Sequence, residues 1–212
     1  MNTTPFSHER FDRIPLIGII RDISFDDVRA ILPIYQQAGL TTLEVTMNTT
    51  DVEQILPYAR AHFPSLNVGA GTVCTPGDLN KALDLGAQFI VTPVVVKKMI
   101  KSCKKLGIPI FPGAYTPSEI YTAWSLGATM VKIYPATALG PAYIKDLRGP
   151  LKNIPLMPTG GIQLDNIGAF RDAGANAFGI GSQLFNQKLI KEKDWQGLEK
   201  HFQAFVDRIK EA

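Results

Sequence analysis

One unit recurs along this chain: a stretch with helical spacing of apolar residues, a break at glycine, then a short apolar run. It is legible in "QQAGLTTLEVT", "LDLGAQFIVTP", "CKKLGIPIFPG", "WSLGATMVKIYP" and "RDAGANAFGIGS", whose break glycines are Gly39, Gly86, Gly107, Gly127 and Gly174. Intervals of 21 and 20 residues separate the middle three, and the two outer intervals are both 47. Each long interval holds one further unit, "NVGAGTV" after residues 51–63 and "IPLMPTGGI" after residues 141–148, and "LIGIIR" opens the series. The count is eight strands, predicted near residues 16–21, 41–46, 67–73, 89–93, 108–113, 130–135, 155–159 and 177–181, each followed by a helical pattern. Glycine after a last helical turn is a stop signal, and Ser24, Thr75 and Thr116 are suitable helix starts.

Strands that alternate with helices pair in parallel, because parallel neighbours need a crossover and a helix is the usual one. Eight such units close into a (β/α)₈ TIM barrel. The 212 residues suffice for one such α/β domain over 1–212, with an N-terminal segment 1–14 carrying a short helix and the barrel running from about 15 to 212. A doubly wound open sheet is the competing arrangement. For a dinucleotide binder it calls for G-x-G-x-x-G after the first strand, and "GIIRDIS" has none.

Composition narrows the function classes. No apolar run reaches the roughly 18 residues of a membrane span, and "MNTTPFSHERFDRIP" lacks the basic-then-apolar order of a signal peptide. The expectation is a cytoplasmic protein that engages no membrane. A net charge of +3, scattered along the chain, argues against nucleic acid and is compatible with an anionic metabolite. The densest basic run, "KKMIKSCKK", reads as a solvated helix face with Met99, Ile100 and Cys103 turned inward. Cys74 and Cys103 have no metal-ligand spacing and suit a reducing compartment.

In a barrel of this kind chemistry lies at the carboxyl ends of the strands. Six different strands bring a polar residue there: Arg21, Glu44, Thr72, Thr92, Lys132 and Thr159. Alternation puts Thr42, Glu44 and Thr46 on one face and Leu43, Val45 and Met47 on the other, and it puts Met130, Lys132 and Tyr134 together opposite Val131 and Ile133. Glu44 and Lys132 can therefore both look into the barrel.

A lysine inside an apolar strand is costly to bury. Its distinctive use is as a neutral amine that attacks a carbonyl to form a Schiff base. Free lysine titrates near 10.4, so acting at neutral pH asks for a drop of about three units, roughly 4 kcal/mol, from desolvation and nearby cations such as Arg21. Glu44 would then carry protons for dehydration and carbon–carbon cleavage. The competing interpretation is a structural ion pair between Lys132 and Glu44.

The last two strands carry "PTGGIQLDN" and "GIGSQL". Glycine turns opening on helix starts present N–H groups to an anion, and phosphate sites recur at this part of such barrels, so Gly160, Gly161, Gly181 and Ser182 are phosphate candidates. The histidines, His8, His62 and His201, lie away from the predicted strand ends, and no metal or other cofactor is expected.

"LEVT" with Glu44, "GAGTV" with Thr72, "IVTP" with Pro93, "PG" at Pro112 and Gly113, "VKIYPA" with Lys132, "GP" before the sixth helix and "PTGGI" together resemble the class I 2-keto-3-deoxy-6-phosphogluconate (KDPG) aldolases, in register from about Pro15 to Ser182. The resemblance implies a Schiff-base lysine at Lys132 and an acid/base at Glu44. It implies pyruvate-side contacts from Arg21, Thr72 and Pro93, phosphate contacts at Gly160, Gly161, Gly181 and Ser182, and a homotrimer. The family cleaves a 2-keto-3-deoxy-6-phospho sugar acid to pyruvate and glyceraldehyde 3-phosphate, and some members cleave 4-hydroxy-2-oxoglutarate to pyruvate and glyoxylate.

Many gluconate-type members have Arg where this chain has Asn48. Asn48 and the "IIR" at Arg21 look like the phosphogalactonate-cleaving branch, whereas Thr159 looks like the gluconate branch, which leaves the C4 preference divided. Two other functions fit the same residues: a phosphosugar epimerase or isomerase with Glu44 as base, and a non-catalytic barrel that senses phospho-sugar acids.

Overall fold

A computed structural model describes residues 4–211; Met1–Thr3 and Ala212, included in the expected domain span, lie outside the described residues. Eight strands form the sheet: β1 (Leu16–Ile20), β2 (Thr42–Thr46), β3 (Asn67–Gly71), β4 (Ile90–Thr92), β5 (Ile110–Ala114), β6 (Val131–Ile133), β7 (Leu156–Pro158) and β8 (Phe178–Ile180). They are joined in the order β7-β6-β5-β4-β3-β2-β1-β8, every paired neighbour parallel. The ring closes between β7 and β8 through a parallel bridge of Thr159 with Gly179 and the bond from Asn176 N–H to Leu156 O at 2.9 Å. The expected (β/α)₈ barrel is therefore what the chain forms.

The crossovers are α2 (Phe25–Gln37), α3 (Val52–His62), α4 (Pro76–Asp84), α5 (Lys97–Leu106), α6 (Pro117–Ser125), α7 (Gly140–Arg148) and α8 (Ile167–Asp172), preceded by α1 (His8–Arg13) and followed by α9 (Gln187–Lys191) and α10 (Trp195–Lys210). Ser24, Thr75 and Thr116 each accept a hydrogen bond from the N–H three residues on, and the two threonines form capping boxes with Asp78 and Glu119. Such caps satisfy donors that the first helical turn leaves open. The five break glycines all have positive φ, between 68° and 103°, so the chain turns at each into the next strand. In α5 the lysines lie outward and Met99, Ile100 and Cys103 are buried.

Alternation divides the apolar residues into two bodies. Outward-facing Leu43, Val45, Val68, Ile90, Ile110, Val131 and Ile133 join the layer between sheet and helices. Inward-facing Ile17, Ile19, Phe89, Val91, Phe111, Met157 and Ala177 fill the barrel interior together with Phe6 and Phe11. The N-terminal segment thus closes the barrel floor. Phe89 and Phe111 meet edge to face at 5.7 Å, with Phe6 5.4 Å from Phe89 and Phe11 5.8 Å from Phe111.

Polar residues at the amino ends of the strands hold that segment in place. Asn67 accepts from Ser7 N–H at 2.8 Å and donates to Ser7 O at 2.9 Å, Thr41 donates to Arg10 O at 2.8 Å, and Gln88 donates to Thr4 O and Pro5 O at 2.8 and 3.0 Å. With the floor sealed, the opening is at the carboxyl ends.

Candidate active site

The strands stop where the backbone turns away at the mouth. β1 ends before Arg21, and β3 ends at Gly71 rather than at residue 73, because Asp22 and Thr72 adopt the left-handed region at φ 53° and 56°. Non-glycine residues in that region cost of the order of 1–3 kcal/mol and cluster at ligand sites. The two turns are tied together by Arg21 Nη2, which donates to Thr72 Oγ1 at 3.4 Å. The first is tied to the turn after β2 by Asp22 N–H, which donates at 3.3 Å to Thr49 Oγ1, itself 2.9 Å from Thr46 Oγ1.

Above the sealed core lies a cleft of about 440 Å³. Seven of the residues expected at the site line it: Arg21, Lys132, Thr159, Gly160, Gly161, Gly181 and Ser182. Lys132 is 5% exposed, and Glu44, at 1%, is not among the lining residues. No ion pair joins the two among the described residues, so the structural salt bridge is not formed. They nonetheless feel each other. Burial pushes the Lys132 amine below the usual lysine range and Arg21 adds to the fall, while Glu44 opposes it. Burial pushes the Glu44 carboxyl above the usual carboxylate range, against the pull of Lys132 and Arg21. Desolvation dominates at both groups and favours their neutral forms.

The remaining expected residues lie outside the cleft. Thr72 reaches it through the bond from Arg21. Pro93 packs against Gly113, where a Cβ would collide with the Pro93 carbonyl. Asn48 is exposed in the turn after β2 and is absent from the lining. Thr92, one of the six convergent polar residues, donates its hydroxyl to Val94 O at 2.6 Å and so braces the β4–α5 loop.

One expectation about the glycine turns does not hold. Neither opens directly on a helix, since α8 begins at Ile167 and α9 at Gln187. Gly160 and Gly161, at φ 91° and 72°, turn the chain past Thr137. An anion at these turns would meet loop N–H groups and the Ser182 side chain instead of a helix end.

Sequence reading passed over Tyr134 as a site residue. Its ring faces the Lys132 amine, with Nζ 4.7 Å from the centroid, and lines the cleft beside Gln183 and Gln187. The signal was present, because Tyr134 stands two residues after Lys132 and alternation aims both inward. Gln183 and Gln187 carry no such pattern.

A nearly dry amine and a nearly dry carboxylate, held at the carboxyl-end mouth of a closed parallel barrel, define a barrel enzyme with lysine chemistry available to it. The KDPG and KHG aldolase family model matches residues 8–201, and the chain belongs to that family of aldolases, which are carbon–carbon lyases.

The 2-dehydro-3-deoxy-6-phosphogalactonate aldolase of Escherichia coli is 33% identical over 202 residues, spanning 94% of this chain and 97% of that protein. The 2-dehydro-3-deoxy-phosphogluconate aldolase of Haemophilus influenzae is 32% identical over 210 residues, spanning 98% of this chain and 99% of its own. A solved structure of native KDPGal superposes with a TM-score of 0.87 at 30% identity, covering 98% of both chains. KDPG aldolase from Legionella pneumophila, solved with pyruvate captured as a covalent carbinolamine, gives 0.83 at 26% identity over 92% of this chain and 96% of that one. These matches support neither the epimerase or isomerase nor the sensor.

Proposed function

We propose that this protein is a class I aldolase that reversibly cleaves a 2-keto-3-deoxy-6-phospho sugar acid to pyruvate and glyceraldehyde 3-phosphate. The observation that carries the reading is the burial of Lys132 in a cleft that two glycine turns also line. The neutral amine attacks the C2 carbonyl, and loss of water from the carbinolamine gives an iminium ion. Deprotonation of the C4 hydroxyl then breaks the C3–C4 bond, and its electron pair enters the iminium to leave an enamine while the aldehyde departs. Protonation at C3 and hydrolysis release pyruvate and restore the amine.

Glu44 is the proton carrier in this scheme, since its raised pKa suits both donation and acceptance. Arg21, held by Thr72, binds the substrate carboxylate and Thr159 faces the carbon chain, while Pro93 supports the pyruvate side and Asn48 the rim from outside the cleft. Gly160, Gly161, Gly181 and Ser182 hold the phosphate. Cleavage of 4-hydroxy-2-oxoglutarate belongs to the same chemistry, because that substrate shares the 2-keto-4-hydroxy acid end.

A cytoplasmic location, one domain with its barrel over about 15–212, and a homotrimer complete the proposal. No helix among the described residues is long and apolar enough to cross a membrane. Exposed Val94, Tyr115, Tyr121 and Trp124 offer apolar surface of the kind that association covers.

Pyruvate with borohydride should attach irreversibly at Lys132, as read by peptide mass spectrometry. Absence of that adduct, or full activity in Lys132→Ala, overturns the reading. A lactate dehydrogenase-coupled assay on the two C4 epimers reads the stereochemical preference.

A further inference from the structure

The inward face of β3 is nearly bare. Asn67, Gly69 and Gly71 alternate inward along it, and the space that two side chains would take is filled from both neighbouring strands. Phe89, which leads into β4, covers Gly69, and Glu44 from β2 covers Gly71. At Gly71 the three nearest atoms to a built Cβ all belong to Glu44, namely Oε1, Cδ and Cγ, and that Cβ would fall inside the carboxylate.

Register gives the direction in which Glu44 leans. Glu44 pairs with Gly69, and Thr46 pairs with Gly71. The Glu44 side chain is rooted level with Gly69 and reaches over Gly71, one inward position nearer the mouth and Lys132. No protein group hydrogen-bonds its Oε2, so shape, more than a hydrogen bond, sets where this end of the side chain rests.

We propose that Gly71 is the positioning residue for the Glu44 carboxylate: its missing side chain is the seat that lets Glu44 lean to the mouth and serve the proton transfers. The proposal rests on the reading of Glu44 as proton carrier. A methyl at position 71 forces the carboxylate off that seat, and displacement of a reacting group by about 1 Å can cost about a hundredfold in rate.

The test compares Gly71→Ala, Glu44→Gln and their double variant in the full-length protein. One readout is exchange of the pyruvate methyl protons with deuterated solvent, and the other is the end point of borohydride trapping at Lys132. Gly71→Ala should slow exchange by about 10- to 100-fold while trapping still runs to completion. In the Glu44→Gln background the same change should cost less than about twofold, because both lesions act on one group. Exchange at the wild-type rate in Gly71→Ala, an equal loss in both backgrounds, or loss of the trapping end point overturns the proposal.

If Gly71→Ala does not fold, the Glu44→Ala/Gly71→Ala pair decides. A pair as stable as Glu44→Ala alone supports the seat, and a pair that also fails to fold overturns it. Wild-type exchange in Glu44→Gln removes the proton-carrier reading itself. Slow exchange in Glu44→Gln beside an unaffected Gly71→Ala removes the positioning role alone.

Discussion

Glu44 and Lys132 rise from opposite walls of the barrel, β2 and β6, four strands apart in a ring of eight, and face each other without closing an ion pair. Contact would have given a structural pair, with the charges holding each other ionised. Separation leaves desolvation in command, so the amine is held below the usual lysine range and the carboxyl above the usual carboxylate range. Both groups are thereby moved toward the pH at which they can exchange protons.

Glu44→Gln keeps the shape of the side chain and removes its proton. On the proposed reaction, turnover should fall by about 10²- to 10⁴-fold, while pyruvate still attaches to Lys132 on prolonged incubation with borohydride. Steady-state kinetics and the mass of the trapped protein check both halves. Turnover within a few-fold of wild type removes Glu44 from the mechanism.

The lowered pKa of Lys132 has a signed consequence for stability. Between that lowered value and the ordinary lysine value, the unfolded chain binds more protons at this site than the folded one, so this contribution to stability rises with pH across the window. Lys132→Met should abolish the rise and stabilise the protein at neutral pH while ending turnover. Thermal melts from pH 6 to 10 read the slope, and an unchanged slope in Lys132→Met contradicts the assigned shift.

The eight strands were legible because five units repeat the same punctuation, down to the left-handed glycines at positions 39, 86, 107, 127 and 174, and the spacing between them left room for the others. Lys132 and Glu44 stood out because alternation aimed a charge into an apolar barrel. Thr72 was expected at the site too, but the turns at Asp22 and Thr72 were not legible, since no side-chain pattern announces that a non-glycine residue will turn left-handed at a strand end. Tyr134 shared the inward face of Lys132, but alternation alone does not say that its ring lies over the amine. Gly71 was hidden for another reason, as its contribution is an absence that matters only once the lean of Glu44 is known.

The floor of the barrel carries a prediction about stability alone. Phe11 is 4% exposed and sits among Phe6, Phe111 and the other inward side chains, far from the mouth. Phe11→Ala should cost about 3–5 kcal/mol, a fall in Tm of roughly 6–20 °C for a chain of this size. Turnover below the melting range should stay near wild type, and a calorimetric scan beside an activity assay separates the two effects. A large loss of activity in the folded variant would tie the floor to the chemistry.

Arg21 and Tyr134 act on the Lys132 amine with opposite sign, and the pair gives the sharpest check on the electrostatics of the site. Arg21 places a second cation near the amine and lowers its pKa, whereas the face of the Tyr134 ring at 4.7 Å favours the charged form. Trapping by pyruvate and borohydride rises with pH as the amine loses its proton, so the midpoint of that rise reports the amine directly. Arg21→Gln should move the midpoint to higher pH. It should also raise KM for the substrate by about 10- to 100-fold, the worth of a charge-assisted contact to a carboxylate. Tyr134→Leu should move the midpoint to lower pH, and Tyr134→Phe, which keeps the ring face, should leave it in place. Shifts of the same sign in Arg21→Gln and Tyr134→Leu would mean that local packing, and not these two charge-sensitive contacts, tunes the amine.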